Sequence, residues 1–236
     1  MQPDRYTSTP APATRAASID AGLRGHMQNV YNRMTLGVLV TAITSYFVAN
    51  TPALLSLFLD GPQAYVVMFA PLAVMWFGFN PMTMPSGKLK ISFFLISVLY
   101  GISLATIFIA YAKTDIARAF FIASAMFAGL SIFGYATRKN LDGLGTFAVM
   151  GVWGVLILGI INLFVGSSQL MNVISVVSII AFAGITAWQT QTMKEMYSAA
   201  HGVEANSRMA WAAALNLYIS FIAIFMHILH LLGNNR

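Results

Sequence analysis

From about residue 31 onward the chain alternates long apolar stretches with short polar breaks. Seven such stretches run at about 31–50, 63–80, 90–112, 117–137, 144–165, 169–193 and 210–232. Each approaches the ~20 residues that a helix needs to cross the hydrocarbon core of a bilayer. The breaks carry turn-forming pairs and triplets: Thr51-Pro52, Gly61-Pro62, Asn80-Pro81, Pro85-Ser86-Gly87, Asp142-Gly143 and Gly166-Ser167-Ser168. Pro71 falls inside the second stretch and predicts a kink there. Backbone N–H and C=O groups inside lipid must be paired within the segment, so the stretches are expected to be helices rather than open sheet. The fold class that follows is an all-α integral membrane protein, a seven-transmembrane-helix bundle over residues 26–236. Residues 1–25 are rich in Pro, Ala, Ser and Thr and lack an apolar h-region, so they read as a disordered N-terminal arm and not as a secretory signal. Asp4 and Asp20 in the arm also argue against a mitochondrial presequence, which is poor in acids.

Composition agrees with the pattern. Hydrophobic residues make up 58% of the chain and charged residues 8%, against ~25% charged in soluble domains. The expected partner is the lipid bilayer. The net charge of +6 then reflects orientation, with no nucleic acid implied. Ten basic residues (Arg5, Arg15, Arg24, Arg33, Lys88, Lys90, Arg138, Lys139, Lys194, Arg208) fall on one set of alternate segments; Lys113, Arg118 and Arg236 fall on the other. Positive charge favours the cytoplasmic side. The N-terminus is therefore expected inside and the C-terminus outside, the parity that seven crossings require.

The acids exclude several chemistries. Asp4, Asp20, Asp60, Asp115, Asp142, Glu195 and Glu204 all fall in the arm, a loop or a helix end. A carboxylate at membrane depth is the usual mark of a proton relay or cation site, and none is expected here. The chain has no cysteine, so disulfides and thiolate metal sites are excluded. Phosphate-binding glycine loops, GxSxG and HExxH are all lacking, so no enzymatic activity and no cofactor is expected.

Polar chemistry inside the membrane concentrates in the last two helices. In the seventh, Asn216, Ser220, Ala223, His227 and His230 are spaced 4, 3, 4 and 3 and share one face. Such a stripe should face protein or water, which places the seventh helix at the centre of the bundle. Two readings stay open: hydrogen bonding between helices, or the lining of a water-filled path. His227 and His230, one turn apart without nearby acids or cysteines, are too few to assign a metal site, and none is assigned. The sixth helix carries Ser175, Ser178, Thr186 and Gln189 roughly on one face, and ends in the polar tract ITAWQTQTMKEMY, Ile185 to Tyr197. Gly145, Gly151, Gly154, Gly159 and the pair Ala125-x-x-x-Gly129 read as sites of close helix packing, and Asn162 as a hydrogen bond between helices.

Four segments taken together, YNRMTLGVLVTA (Tyr31 to Ala42), YGISLATIFIAY (Tyr100 to Tyr111), FGYATRKNLDGLG (Phe133 to Gly145) and ITAWQTQTMKEMY, resemble the transmembrane Bax inhibitor motif family, in particular its bacterial branch. The resemblance runs in order from about Gln28 to Gly233. It implies seven helices with the last in the middle, in a bacterial inner membrane. It implies a link to pH-sensitive leak of calcium or other cations and, for bacterial relatives, to restraint of an inner-membrane ATP-dependent protease. The family's leak rests on two aspartates. One lies in an A-Y-D-T-Q segment, here Ala187-Trp188-Gln189-Thr190-Gln191; the other in L-Y-L-D-F, here Leu217-Tyr218-Ile219-Ser220-Phe221. Gln189 and Ser220 thus stand at the two sensor positions. No Lys or Arg occurs between Arg33 and Lys88 to partner an acid there. Two functions follow as expectations: a cation pathway with altered selectivity or pH response, or a non-transporting subunit that binds another membrane protein.

Overall fold

In the computed structural model residues 12–233 are described, the side chains from residue 21 onward. All regular elements among them are helical. They are α1 (Pro12–Ala49), α2 (Pro52–Leu59), α3 (Gln63–Phe77), α4 (Ser86–Ser103), α5 (Ile107–Ala110), α6 (Lys113–Ala136), α7 (Asp142–Val165), α8 (Ser168–Met196) and α9 (Gly202–Gly233). Short 3-10 turns at Leu104–Thr106 and Ala199–His201 join α4 to α5 and lead into α9. The seven apolar stretches therefore all lie on helices, but the helices do not match them one to one.

Three differences have physical causes. First, α1 starts at Pro12, so a large part of the arm expected to be disordered is helical, while residues 1–11 lie outside the described residues. Proline at the start of a helix loses nothing, because the first N–H groups have no partner within the helix. Second, the chain turns by 104° between the segment Ala21–Ala49 and α2. The break sits at Asn50-Thr51-Pro52, where Pro52 takes the first helical position. Third, the stretch expected at 90–112 is interrupted by the 3-10 turn, although the combined Ser86–Ala110 segment is still long and apolar enough to cross.

Five helical segments meet the length and hydropathy needed to span a membrane: Ser86–Ala110, α6, α7, α8 and α9; the bent pair of α1 and α2 makes up to six. α3 has 15 residues, ~22 Å at 1.5 Å per residue, short of a ~30 Å core. Pro71 lies buried within α3, which continues through it. The chain is thus an all-helical multi-pass membrane protein. Large apolar side chains such as Phe121, Trp153 and Phe164 face outward, as a lipid solvent allows.

The bundle is built around α9. Of its most apolar window 61% is buried, against 11% for α7. α9 packs against α1, α4, α6 and α8, whereas α7 packs on α8. Leu217, Ile224 and Leu229 of α9 are fully buried. Close approach depends on glycine where a side chain would collide. A Cβ on Gly101 would meet Thr44 Cβ at 2.6 Å and the Thr41 carbonyl at 2.8 Å, so the close approach of α4 to α1 at this point requires glycine. Gly134 lets α6 touch the Ala187 carbonyl of α8, and Gly145 lies under the Trp188 ring. Of the small residues expected to mediate packing, Gly145 and Gly151 do so, but Gly129, Gly154 and Gly159 face open space. Gly166, at φ +65°, ends α7 in the left-handed conformation that suits glycine. Asn162 accepts from the Ser167 N–H at that same end, a local bond in place of the expected one between helices.

Candidate functional site

The site is assembled from the last two turns of α8 and the middle of α9. Successive residues on a helix step by ~100°, so Trp188, Gln189, Thr190 and Gln191 point in four directions. Each meets a different part of the protein. Trp188 Nε1 donates to Asp142 Oδ1 at the start of α7, at 3.0 Å. Ser220 Oγ of α9 donates to Gln189 Oε1 at 3.1 Å. Thr190 Oγ1 lies 3.4 Å from the Tyr31 hydroxyl of α1. Gln191 is buried; its Oε1 accepts from Leu141 N at 2.8 Å and its Nε2 donates to the Lys139 carbonyl at 2.9 Å. One turn further on, Lys194 Nζ donates to the Tyr135 carbonyl of α6 at 2.9 Å. The tract therefore ties α8 to α1, α6, α7, α9 and the α6–α7 loop.

The two sensor positions named by the resemblance are in direct contact across the α8–α9 seam. Ser220 is 1% exposed, and its hydroxyl is held by the Gln189 side chain. Neither group ionises, so this contact carries no charge and takes up no proton. Beside it lies a cavity of about 140 Å³, lined by His26, Gln189, Thr192 and Asn216 with Met193 and Met209. At ~30 Å³ per molecule the space holds roughly five waters. His26 is nearly buried, and its ring lies 5.2 Å from that of Tyr197. Among the described residues no carboxylate lines this cavity.

The polar face expected on the seventh helix divides into unequal parts. Asn216 is exposed at the cavity, and Ser220 is locked to Gln189. Towards the far end His227 Nδ1 lies 3.3 Å from Ser175 Oγ of α8. His230 Nε2 is buried without a hydrogen-bond partner among the described residues. Among the described residues no group of three or more His, Cys, Asp or Glu side chains comes together in a way that could hold a metal ion. The polar face expected on the sixth helix is only partly one. Gln189 reaches across, but Ser178 and Thr186 each bond the carbonyl one turn back, Ile174 and Phe182, both at 2.7 Å. A hydroxyl that bonds its own helix is satisfied without a neighbour.

Two features escape the sequence pattern. Tyr218 is fully buried at the centre of α9, its hydroxyl 2.7 Å from Thr41 Oγ1 of α1. Thr41 also bonds the Ser97 carbonyl of α4 at 2.9 Å, so three helices meet at one polar point. Arg33 donates to the Ser207 carbonyl and hydroxyl at 2.9 and 3.3 Å and stacks 4.2 Å over the Trp211 ring. The signal for the multiple contacts of Gln189 to Gln191 was present: consecutive polar residues cannot share one face.

Comparison with known proteins agrees with this architecture. The family model described as inhibitor of apoptosis-promoting Bax1 matches residues 23–236. The chain is 35% identical over 234 residues to a protein of Rickettsia prowazekii, covering 98% of each. It is 38% identical over 240 residues to one of Caulobacter vibrioides, covering 95% of each. Inner membrane protein YbhL of Escherichia coli strain K12 is 31% identical over 220 residues, 92% of this chain and 94% of that one. The chain belongs to the Bax inhibitor family and is a multi-pass inner-membrane protein similar to YbhL.

Proposed function

We propose that this chain is a Bax-inhibitor-type membrane regulator in which the cation path of the family is held shut by a neutral bond. It would act on another membrane protein instead of serving as a pH-gated leak. The observation that carries the reading is the hydrogen bond from Ser220 to Gln189. Where the resemblance implies two carboxylates, this chain has an amide and a hydroxyl that satisfy each other. Calcium is held mainly by carboxylate and carbonyl oxygens. Here no carboxylate among the described residues lines the cavity, and the Gln189 carbonyl oxygen already accepts from Ser220.

The reading includes seven crossings with the N-terminus in the cytoplasm and the C-terminus in the periplasm. Arg208, early in α9, donates to the Met82 carbonyl, and Glu204 accepts from the Ser86 N–H. Both contacts bring the loop before α4 to the end where α9 begins. The chain after α1 must then return across the bundle through α3 and the loop behind it, which supports a crossing despite the shortness of α3. Arg33, Lys194 and Arg208 make their contacts towards that same end, in line with the cytoplasmic placement of positive charge.

The test is calcium influx into liposomes holding a calcium dye, recorded at pH 6, 7 and 8. The native chain is expected to show low flux that does not vary with pH. Gln189→Asp with Ser220→Asp is expected to restore pH-dependent flux. Strong pH-dependent flux in the native chain would overturn the proposal and favour the second reading, a cation pathway of altered response. The observation behind that alternative is the cavity shared by His26, Gln189 and Asn216, with His227 further along the same seam. Co-purification in mild detergent separates the two as well: a stoichiometric membrane-protein partner fits the regulator, and an isolated chain that passes ions fits the pathway.

A further inference from the structure

α1 and α6 scarcely touch, although both pack against α9. Between them runs a groove made of two adjoining cavities of about 820 and 440 Å³. The cavities share Val38, Phe120 and Phe221, so they are continuous, with α9 as the floor. Each falls in the ~300–1,000 Å³ range of small-molecule sites.

The groove is graded in polarity along its length. At one mouth stand Arg24, Gln28 and Asn32 of α1, facing Tyr135 of α6. Deeper in, the walls become Val38, Phe127, Ala128 and Ile132, with Phe120 and Phe221 at the innermost point. Arg24 is exposed and makes no hydrogen bond or ion pair with any side chain among the described residues. Lys194 of α8, outside the lining itself, donates to the Tyr135 carbonyl and sits 5.5 Å from the centre of the Tyr135 ring, which does line the mouth. The polar opening that leads into the apolar trough thus has Arg24 in its lining and a second cation behind Tyr135. Ser131, one turn below Tyr135, is 7% exposed, and its hydroxyl has no hydrogen-bond partner among the described residues.

The larger cavity matches one leaflet in length. Arg24 to Val38 spans ~21 Å of helix at 1.5 Å per residue. Half of a bilayer, headgroups included, is ~20–22 Å. We infer that the α1–α6 groove binds one anionic phospholipid of the cytoplasmic leaflet, its phosphate between Arg24 and Lys194 and an acyl chain along Val38, Phe127 and Phe120. The depth of Ser131 is that of the ester linkages just below the phosphate. Charge complementarity selects this occupant: the mouth is cationic, Arg24 is the one charged side chain lining the larger cavity among the described residues, and the next charge, Lys113, lies in the smaller cavity beyond it.

The experiment is native mass spectrometry of the full chain released from detergent after reconstitution with equal phosphatidylglycerol and phosphatidylcholine. One phosphatidylglycerol per chain is expected to be retained in preference to phosphatidylcholine. Arg24→Gln should cut that preference roughly fivefold, the effect of one basic residue at the headgroup level. Ala128→Phe, which fills the trough, should remove retained lipid of both kinds, whereas Gly154→Phe on the open face of α7 should not. Arg24→Gln changes an exposed residue, so its result stands even if Ala128→Phe does not fold. Equal retention of the two lipids overturns the proposal. So does lipid retention that survives Ala128→Phe in a folded chain, or a dimer that the same change dissolves.

Discussion

The contact between Gln189 and Ser220 can be measured as a coupling energy. Ser220→Ala removes the donor and leaves the Gln189 amide beside a water-sized cavity, where solvent can replace the lost partner. Gln189→Leu removes the acceptor and leaves a serine hydroxyl that can turn to the carbonyl one turn back. Each single change should therefore cost little beyond the bond itself. Hydrogen bonds between membrane helices average ~0.6 kcal/mol in double-mutant cycles, with a maximum of ~1.7. The bond measures 3.1 Å, an ordinary length, and one partner is nearly fully buried. A coupling of ~0.6–1.7 kcal/mol is expected, or about 1 to 6 °C in midpoint for a chain of this length. The assay is thermal unfolding of native chain, two single variants and the double variant in one detergent, at pH 6 and at pH 8. Because neither group ionises, the coupling should be the same at both values. A coupling below ~0.3 kcal/mol would mean that the bond does not hold the resting state together. A coupling that changes with pH would mean that a titrating group, such as His26 at the adjacent cavity, is part of the contact. Either result would refute the neutral-latch argument.

Two other predictions test the frame around this pair. Gly101→Ala should force α4 away from α1, since the added Cβ would lie 2.8 Å from a backbone carbonyl that cannot rotate aside; overpacking of this kind costs ~1–3 kcal/mol, and an unchanged thermal midpoint would contradict the packing described. Gln191→Leu should leave the Leu141 N–H and the Lys139 carbonyl without their partner, a loss of about 1–3 kcal/mol, while Gln191→Glu should keep the acceptor for Leu141; amide exchange at Leu141 should be faster in the first variant than in the second.

The apolar runs were legible because lipid imposes a length on every segment. The interruption of the third run at Leu104–Thr106 was not, since Leu, Ala and Thr carry no breaking signal and the turn is set by packing. The extension of α1 back to Pro12 was hidden by a composition that suits disorder as well as helix. At the site, the 4-3-4-3 spacing placed Ser220 and His227 on one face, because spacing alone decides which residues share a face; that this face meets α8 is seen only in the structure. It could not reveal that Ser178 and Thr186 turn their hydroxyls to their own backbone, since rotamer choice is local. Nor could it find Tyr218, which lies off the polar stripe and meets Thr41 only because α1 passes behind α9.

The position of α9 also bears on how the protein is made. The most buried of the described helices is made after the four it packs against. Until it arrives, α1, α4, α6 and α8 have no common surface to close upon, and Gln189, Ser175 and Thr41 lack the α9 side chains they meet in the finished bundle. The earlier helices must therefore enter the bilayer as an open ring and wait. Insertion of α9 closes this group of helices, so a chain that stops short of α9 is an unfilled ring that leaves the α9-facing polar groups of α1 and α8 without their partners.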